Sequence, residues 1–241
     1  MAALKPPCAM IISHRHAFIF LKTQKTAGSS VELALSEICG PDDVITRMNA
    51  EERGDSDLRR GPQNFDVPPA YRPWGAALLH RLGARARRSG FSYFQHMPAA
   101  LVRRRMNPAQ FDAYRKVTIV RNAWDREVSL YFWATRRLSD KPSFDSFVRR
   151  RVWRPEMKTF EIYAIKGHSV ADTVLRYETL AEDFAAFVQS LGVEQVPELP
   201  RAKGNFRAKA KRDYRDFYTD ETAEIVRRRY AREIALFGMA F

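Results

Sequence analysis

Cysteine is scarce in this chain. Cys8 and Cys39 are the two present among 241 residues, which excludes a disulfide framework and offers no Cys/His spacing for a metal. Long hydrophobic runs are missing too, so no segment reads as a membrane span. The first residues lack a signal-peptide core, since Met1 to Ile12 is broken by Pro6-Pro7. A reducing, cytoplasmic setting is the expectation. No internal repeat occurs, and the arginine triplets at 103–105, 149–151 and 227–229 suit solvated helix faces. Acidic residues are in short supply: 28 Asp and Glu against 41 Lys and Arg leave a formal net charge of +13. Such a balance implies an anionic partner, whether nucleic acid, acidic headgroups, an acidic substrate or a phosphate-rich cofactor. No helix-turn-helix, zinc finger or RNA-recognition motif supports nucleic acid.

What is present is a globular composition, 45% hydrophobic and 12% aromatic, long enough for one α/β domain. The organising stretch runs from Ala17 to Cys39. Ala17-Phe18-Ile19-Phe20-Leu21 is an apolar run bounded by polar residues, the pattern of a buried parallel strand. The small, basic loop Lys22 to Ser30 follows. Val31, Leu35, Ile38 and Cys39 then form one helical stripe, ended by Gly40-Pro41. Strand, small-residue loop and helix together suit an anion, because a helix N-terminus offers unpaired N–H groups and partial positive charge. Gly28 would admit close backbone approach, Ser29 and Ser30 add hydroxyls, and Lys25 adds a full charge. An ordinary βα turn is the plainer alternative. The loop is not that of a nucleotide triphosphatase, whose G-x-x-x-x-G-K-[ST] would need Gly at Thr23 and Lys at Ser29.

Further strands are expected at Val44–Thr46, Phe91–Gln95, Lys116–Val120 and Thr173–Tyr177. Helices are expected from Pro98, at its first position, to Arg105; after Asn122; over Phe144–Val152; around Thr159–Ile165; after a Thr179-x-x-Glu182 capping box; and unbroken from about Thr219 to Gly238. Residues 48–90 read as a variable insertion with a basic helix over Gly75–Arg88. The alternation predicts an α/β fold, a P-loop-like parallel sheet flanked by helices in a single domain over 17–241, after an N-terminal tail over 1–16. Ligands of such sheets sit beyond the carboxyl ends of the strands, where the Lys25 loop, Arg121 and Tyr177 converge. A P-loop ATPase holds Mg²⁺ with an acidic residue near a strand end. Here Arg121 stands in that kind of place, either to grip a second phosphate with Ser129 or as part of a structural ion pair.

These residues resemble the sulfotransferases that use 3′-phosphoadenosine 5′-phosphosulfate (PAPS), most of all their carbohydrate branch. Lys25-Thr26-Ala27-Gly28-Ser29-Ser30 matches the 5′-phosphosulfate loop, with Gln24 in place of the usual Pro. Val120 to Arg126 through Ser129 is similar to V-R-N-P-W-D-R-x-x-S, with Ala123 for Pro. Arg176-Tyr177-Glu178-Thr179-Leu180 resembles [RK]-Y-E-[DN]-L, and Tyr214 to Gly238 the closing segment. The resemblance implies sulfuryl transfer from PAPS, released as PAP, to a small-molecule or carbohydrate acceptor. It assigns Lys25 to the leaving oxygen, Lys25 through Ser30 to the 5′-phosphosulfate, and Arg121 with Ser129 to the 3′-phosphate. Tyr177 would flank the adenine or serve as a strand-end core residue. The basic stretch Arg201–Arg215 would close over the cofactor or remain a solvated loop. His96, at the end of an expected strand, is the candidate general base, with Glu161 the alternative.

Overall fold

The apolar run of the organising stretch forms a strand, Phe18–Leu21, buried at every residue in the computed structural model of the chain. The structure describes residues 10–46, 60–72, 92–150, 159–200 and 213–241. The expected helix Gly75–Arg88, much of the 48–90 insertion, the basic stretch as far as Arg212, and Cys8 lie outside those residues.

In chain order the strands are β1 Ile11–Ser13, β2 Phe18–Leu21, β3 Val44–Ile45, β4 Arg115–Val120, β5 Ala164–Ile165, β6 His168–Ser169 and β7 Thr173–Arg176. The helices are α1 Gly28–Ile38, α2 Ala99–Arg105, α3 Pro108–Ala113, α4 Ala123–Thr135, α5 Phe144–Arg150, α6 Thr159–Ile162, α7 Leu180–Ser190, α8 Asp220–Arg229 and α9 Ala231–Phe237. Five strands form one sheet in the order β3-β1-β2-β4-β7, and β5 pairs with β6 as a separate hairpin. β2, β4 and β7 run parallel, with Leu21 opposite Thr118 and Val120 opposite Arg176. β1 pairs antiparallel with both β2 and β3. The single α/β domain thus has a mixed sheet whose centre is parallel. Ile11–Ser13, expected in a tail, belongs to it, with Ile11 and Ile12 fully buried. Three residues are too short a run to show a period.

The period of two in β2 divides its side chains between two cores. Ile19 and Leu21 join Met97, Val102, Phe111 and Tyr163. Phe18 and Phe20 join Val31 and Leu35 of α1 and Phe184 and Phe187 of α7. Each such side chain contributes about 1.5–3 kcal/mol by leaving water. A third cluster joins Trp124 and Val128 of α4 to Phe144, Val148, Val226 and Tyr230, which packs the C-terminal helices against α4.

Four local expectations fail. Thr179 does not cap α7; its hydroxyl donates to Asp183, and Tyr177–Thr179 forms a 3-10 turn. The capping box lies instead between Thr219 and Thr222 at the start of α8. The last helix breaks at Tyr230, where φ is −112°. There the phenol donates to Glu127 and the ring lies against Arg126, so contacts with α4 outweigh helix continuity. Phe91–Gln95 is not a strand: among its described residues only Ser92 makes a bridge, to Asp66. Pro98 is the N-cap of α2 rather than its first residue.

Candidate active site

The loop after β2 turns into α1 at the carboxyl edge of the parallel strands. Thr23 donates its hydroxyl to the Ile119 carbonyl of β4, and the Thr26 hydroxyl lies 2.9 Å from that of Thr23. Thr26 is fully buried, so its side chain secures the loop and only its backbone can face a ligand. Lys25 and Ala27 both take left-handed conformations, with φ of 61° and 63°. For residues with a Cβ this costs roughly 1–2 kcal/mol each, a strain the pinned loop sustains.

Ala27 is the N-cap of α1 and provides no side-chain cap. The Ser30 and Val31 amides both turn back to the Ala27 carbonyl. An apolar cap leaves first-turn N–H groups for an outside acceptor, at the positive end of an eleven-residue helix. The Ser29 hydroxyl accepts from Lys22 Nζ at 3.1 Å and keeps its own proton to donate. Lys22 is itself buried and paired with Glu32 at 2.9 Å. Gly28 also has a role within the protein. A Cβ there would come within 2.8 Å of the Lys22 stem, so the glycine makes room for the buried lysine.

Arg121, just past β4, makes the structural ion pair and also reaches the loop. Its Nε pairs with Asp125 Oδ2 at 2.6 Å, which is the structural ion pair. Its Nη1 donates to the Lys25 carbonyl at 3.1 Å, which joins it to the loop. Its guanidinium lies 3.9 Å from the centroid of the Tyr177 ring. Tyr177 begins the 3-10 turn after β7 and is 36% exposed; with one face covered by Arg121, a single face is left for stacking. Ser129 is half-buried, one turn beyond Asp125 on α4. Asn122 caps α4 by accepting from the Trp124 and Asp125 amides, as expected. Its own amide donates to Glu178, which ties the turn after β7 to the start of α4.

His96 sits in a turn at φ 57°. Its Nδ1 lies 2.8 Å from the Lys22 carbonyl. A carbonyl only accepts, so Nδ1 carries the proton and the lone pair of the neutral ring is on Nε2. The imidazole therefore borders the loop through a hydrogen bond rather than through a strand end. The Lys25 ammonium lies 5.5 Å from the centroid of the Trp133 ring on α4.

The Sulfotransferase family matches residues 9–240. The chain belongs to the sulfotransferase family. No curated protein and no solved structure matches it. The match begins before β1, in keeping with the place of that strand in the sheet. No helix among the described residues is long and apolar enough to cross a membrane.

The structure brings Lys25, Thr26, Ala27, Gly28, Ser29, Ser30, Arg121, Tyr177 and His96 to one edge of the sheet, and Ser129 lies further along α4. Sequence reasoning missed Lys22, Asp125 and Trp133. Asp125 and Trp133 had a signal, since each lies four residues from Ser129 on the same helix. Lys22 had none: a lysine after a strand reads as solvated, and its burial depends on Glu32 and Gly28.

Proposed function

We propose that the chain transfers a sulfuryl group from PAPS to a hydroxyl or amine of its acceptor, with a carbohydrate as the favoured acceptor class and the cytoplasm as its setting. The observation that carries this reading is the hydrogen bond from Arg121 Nη1 to the Lys25 carbonyl. It makes two anion-suited sites neighbours, which supports a ligand phosphorylated at both ends. The fit is supported by the uncapped start of α1 and by the Ser29 proton. Arg121 is partly committed to Asp125 and to Lys25, and Nη2 carries the donors that remain for a 3′-phosphate.

PAPS supplies an activated sulfuryl group, whose sulfur–oxygen bond to phosphate breaks as the acceptor atom bonds to sulfur. The chain's part is positioning and charge stabilisation. Lys25 and the first-turn amides of α1 neutralise the phosphate oxygen that receives the electron pair. Arg121 and Ser129 hold the 3′-phosphate, and the open face of Tyr177 flanks the adenine. His96 Nε2 takes the acceptor proton, a role its Nδ1 bond to Lys22 prepares by fixing the tautomer. We take the catalytic unit to be one domain with an insertion around 48–90.

Melting and calorimetry with PAP test the reading. PAP at 100 times its dissociation constant should stabilise the fold by about 2.7 kcal/mol. Mg-ATP should give less, and DNA no salt-sensitive gain. Sulfate transfer from PAPS to candidate acceptors, followed by mass spectrometry, completes the test. A protein that responds to Mg-ATP or DNA and not to PAP would refute it.

A further inference from the structure

Four residues of α4 and its approach recur at intervals of four: Arg121, Asp125, Ser129 and Trp133. At a rise of about 1.5 Å per residue Asp125, Ser129 and Trp133 span about 12 Å of one face of α4, and Arg121 lies just before the helix. Lys25 touches that face at two places. Its carbonyl accepts from Arg121 at one end, and its ammonium lies 5.5 Å from the Trp133 ring centroid at the other. The indole is half-buried. Its own place is fixed by Arg136, whose guanidinium is 4.5 Å from the ring centroid and whose Nη1 donates to the Trp133 carbonyl at 2.7 Å.

A lysine side chain has four carbons and many rotamers, and a left-handed backbone does not restrict them. The negative face of an indole attracts an ammonium within about 6 Å and favours its charged form. We propose that Trp133 is a positioning residue for sulfuryl transfer: it holds the Lys25 ammonium on the α4 face that also carries Arg121 and Ser129. The proposal rests on the reading of Lys25 as the residue that neutralises the leaving phosphate. It adds that α4 grips this lysine by both its backbone and its side chain, so the helix that reads the 3′-phosphate also orients the transferring group. Trp133 would then act through Lys25, on kcat more than on donor affinity, because the charge that Lys25 neutralises develops as the sulfur–oxygen bond breaks.

The test uses the full chain as wild type, Trp133→Leu, Trp133→Gln and Trp133→Phe. With saturating PAPS, kcat should fall about tenfold in the Leu and Gln variants. PAP affinity by calorimetry should fall by no more than the drop in kcat, because the 5′-phosphate of PAP carries the charge that Lys25 neutralises. Phe keeps an aromatic face and should recover most of the rate. A second readout needs no transfer at all: acylation of Lys25 by acetic anhydride, followed by peptide mass spectrometry, should run about threefold faster without the aromatic face. Unchanged or higher kcat in the Leu and Gln variants overturns the proposal, as does a fall in kcat that Phe does not relieve. If Leu disrupts the fold, Gln at this half-buried position carries the same test. Wild type that binds no PAP would defeat the functional reading; the acylation rates would still decide whether Trp133 holds Lys25.

Discussion

Arg126 of α4 and Glu233 of α9, 107 residues apart, meet in a two-pronged buried pair, with N–O distances of 3.0 and 2.6 Å. Tyr163 donates a third hydrogen bond to Glu233 at 2.8 Å. The pair fastens the C-terminal helices to the helix that carries the candidate anion site. Arg126→Ala would strand a buried carboxylate, and the expected loss is about 3–5 kcal/mol. Arg126→Met with Glu233→Leu removes both charges and should cost much less. Urea unfolding of the two variants checks this; equal losses would show that the pair is not what fastens α9.

Asp43 gives the fold an acid-sensitive latch where β1 turns into β2. Burial alone would push its carboxyl up. Hydrogen bonds from the Arg15 and Gly40 amides, the Ser13 hydroxyl and the His14 amide outweigh that and hold it below the usual carboxylate range. A depressed folded value means that the unfolded chain binds the proton first as pH falls. The stabilisation is therefore complete above about pH 4–5 and is lost as pH drops through the unfolded and then the folded value. Denaturant midpoints between pH 3 and 7 should fall more steeply for wild type than for Asp43→Asn. Parallel curves would remove Asp43 from the acid response.

Lys25→Ala should lower turnover by a factor on the order of a hundred or more, as when an oxyanion donor is lost. The fold should stay intact, because Lys25 is only partly buried and lies in a loop pinned by Thr23 and Thr26. Single-turnover rates of the purified variant decide the matter, and near-normal transfer would take the lysine out of the chemistry.

Ser129→Ala should weaken PAP by about 1.5–3 kcal/mol, the worth of a hydrogen bond to a charged group. It should barely affect adenosine 5′-phosphosulfate, which lacks the 3′-phosphate. Arg121→Ala should weaken PAP further and also weaken the second ligand somewhat, since it unpairs Asp125 and frees the Lys25 carbonyl. Calorimetry with both ligands separates the two roles. Equal losses in Ser129→Ala would mean that its hydroxyl does not read the 3′-phosphate.

His96→Ala should abolish the acidic limb of the pH–rate profile at saturating PAPS and lower the rate, with PAP affinity unchanged. His96→Gln, which can still donate to the Lys22 carbonyl, should restore the loop contact and not the limb. A variant that keeps both rate and limb would direct attention to Glu161, in the first turn of α6.

The sequence by itself determined the parallel centre of the sheet and the helices that follow its strands. Phe18–Leu21, Lys116–Val120 and Thr173–Arg176 are short apolar runs next to turn and cap residues, and those signals are local. It also determined that the Lys25 loop, Arg121 and Tyr177 gather at one edge, because in a parallel sheet every βα turn opens on the same side. Tertiary structure decided the rest. Ile11–Ser13 became a strand only through β2 and β3, and Tyr230 broke its helix only because Glu127 and Arg126 lay beside it. Arg121 was legible as a cation at a strand end. Its ion pair with Asp125, its bond to Lys25 and its stacking on Tyr177 join residues up to 96 positions apart. Lys22 is the plainest case: its charge is buried at the sheet edge because Glu32 neutralises it and Gly28 has no side chain to exclude it, and burial of a charge depends on its partners in space.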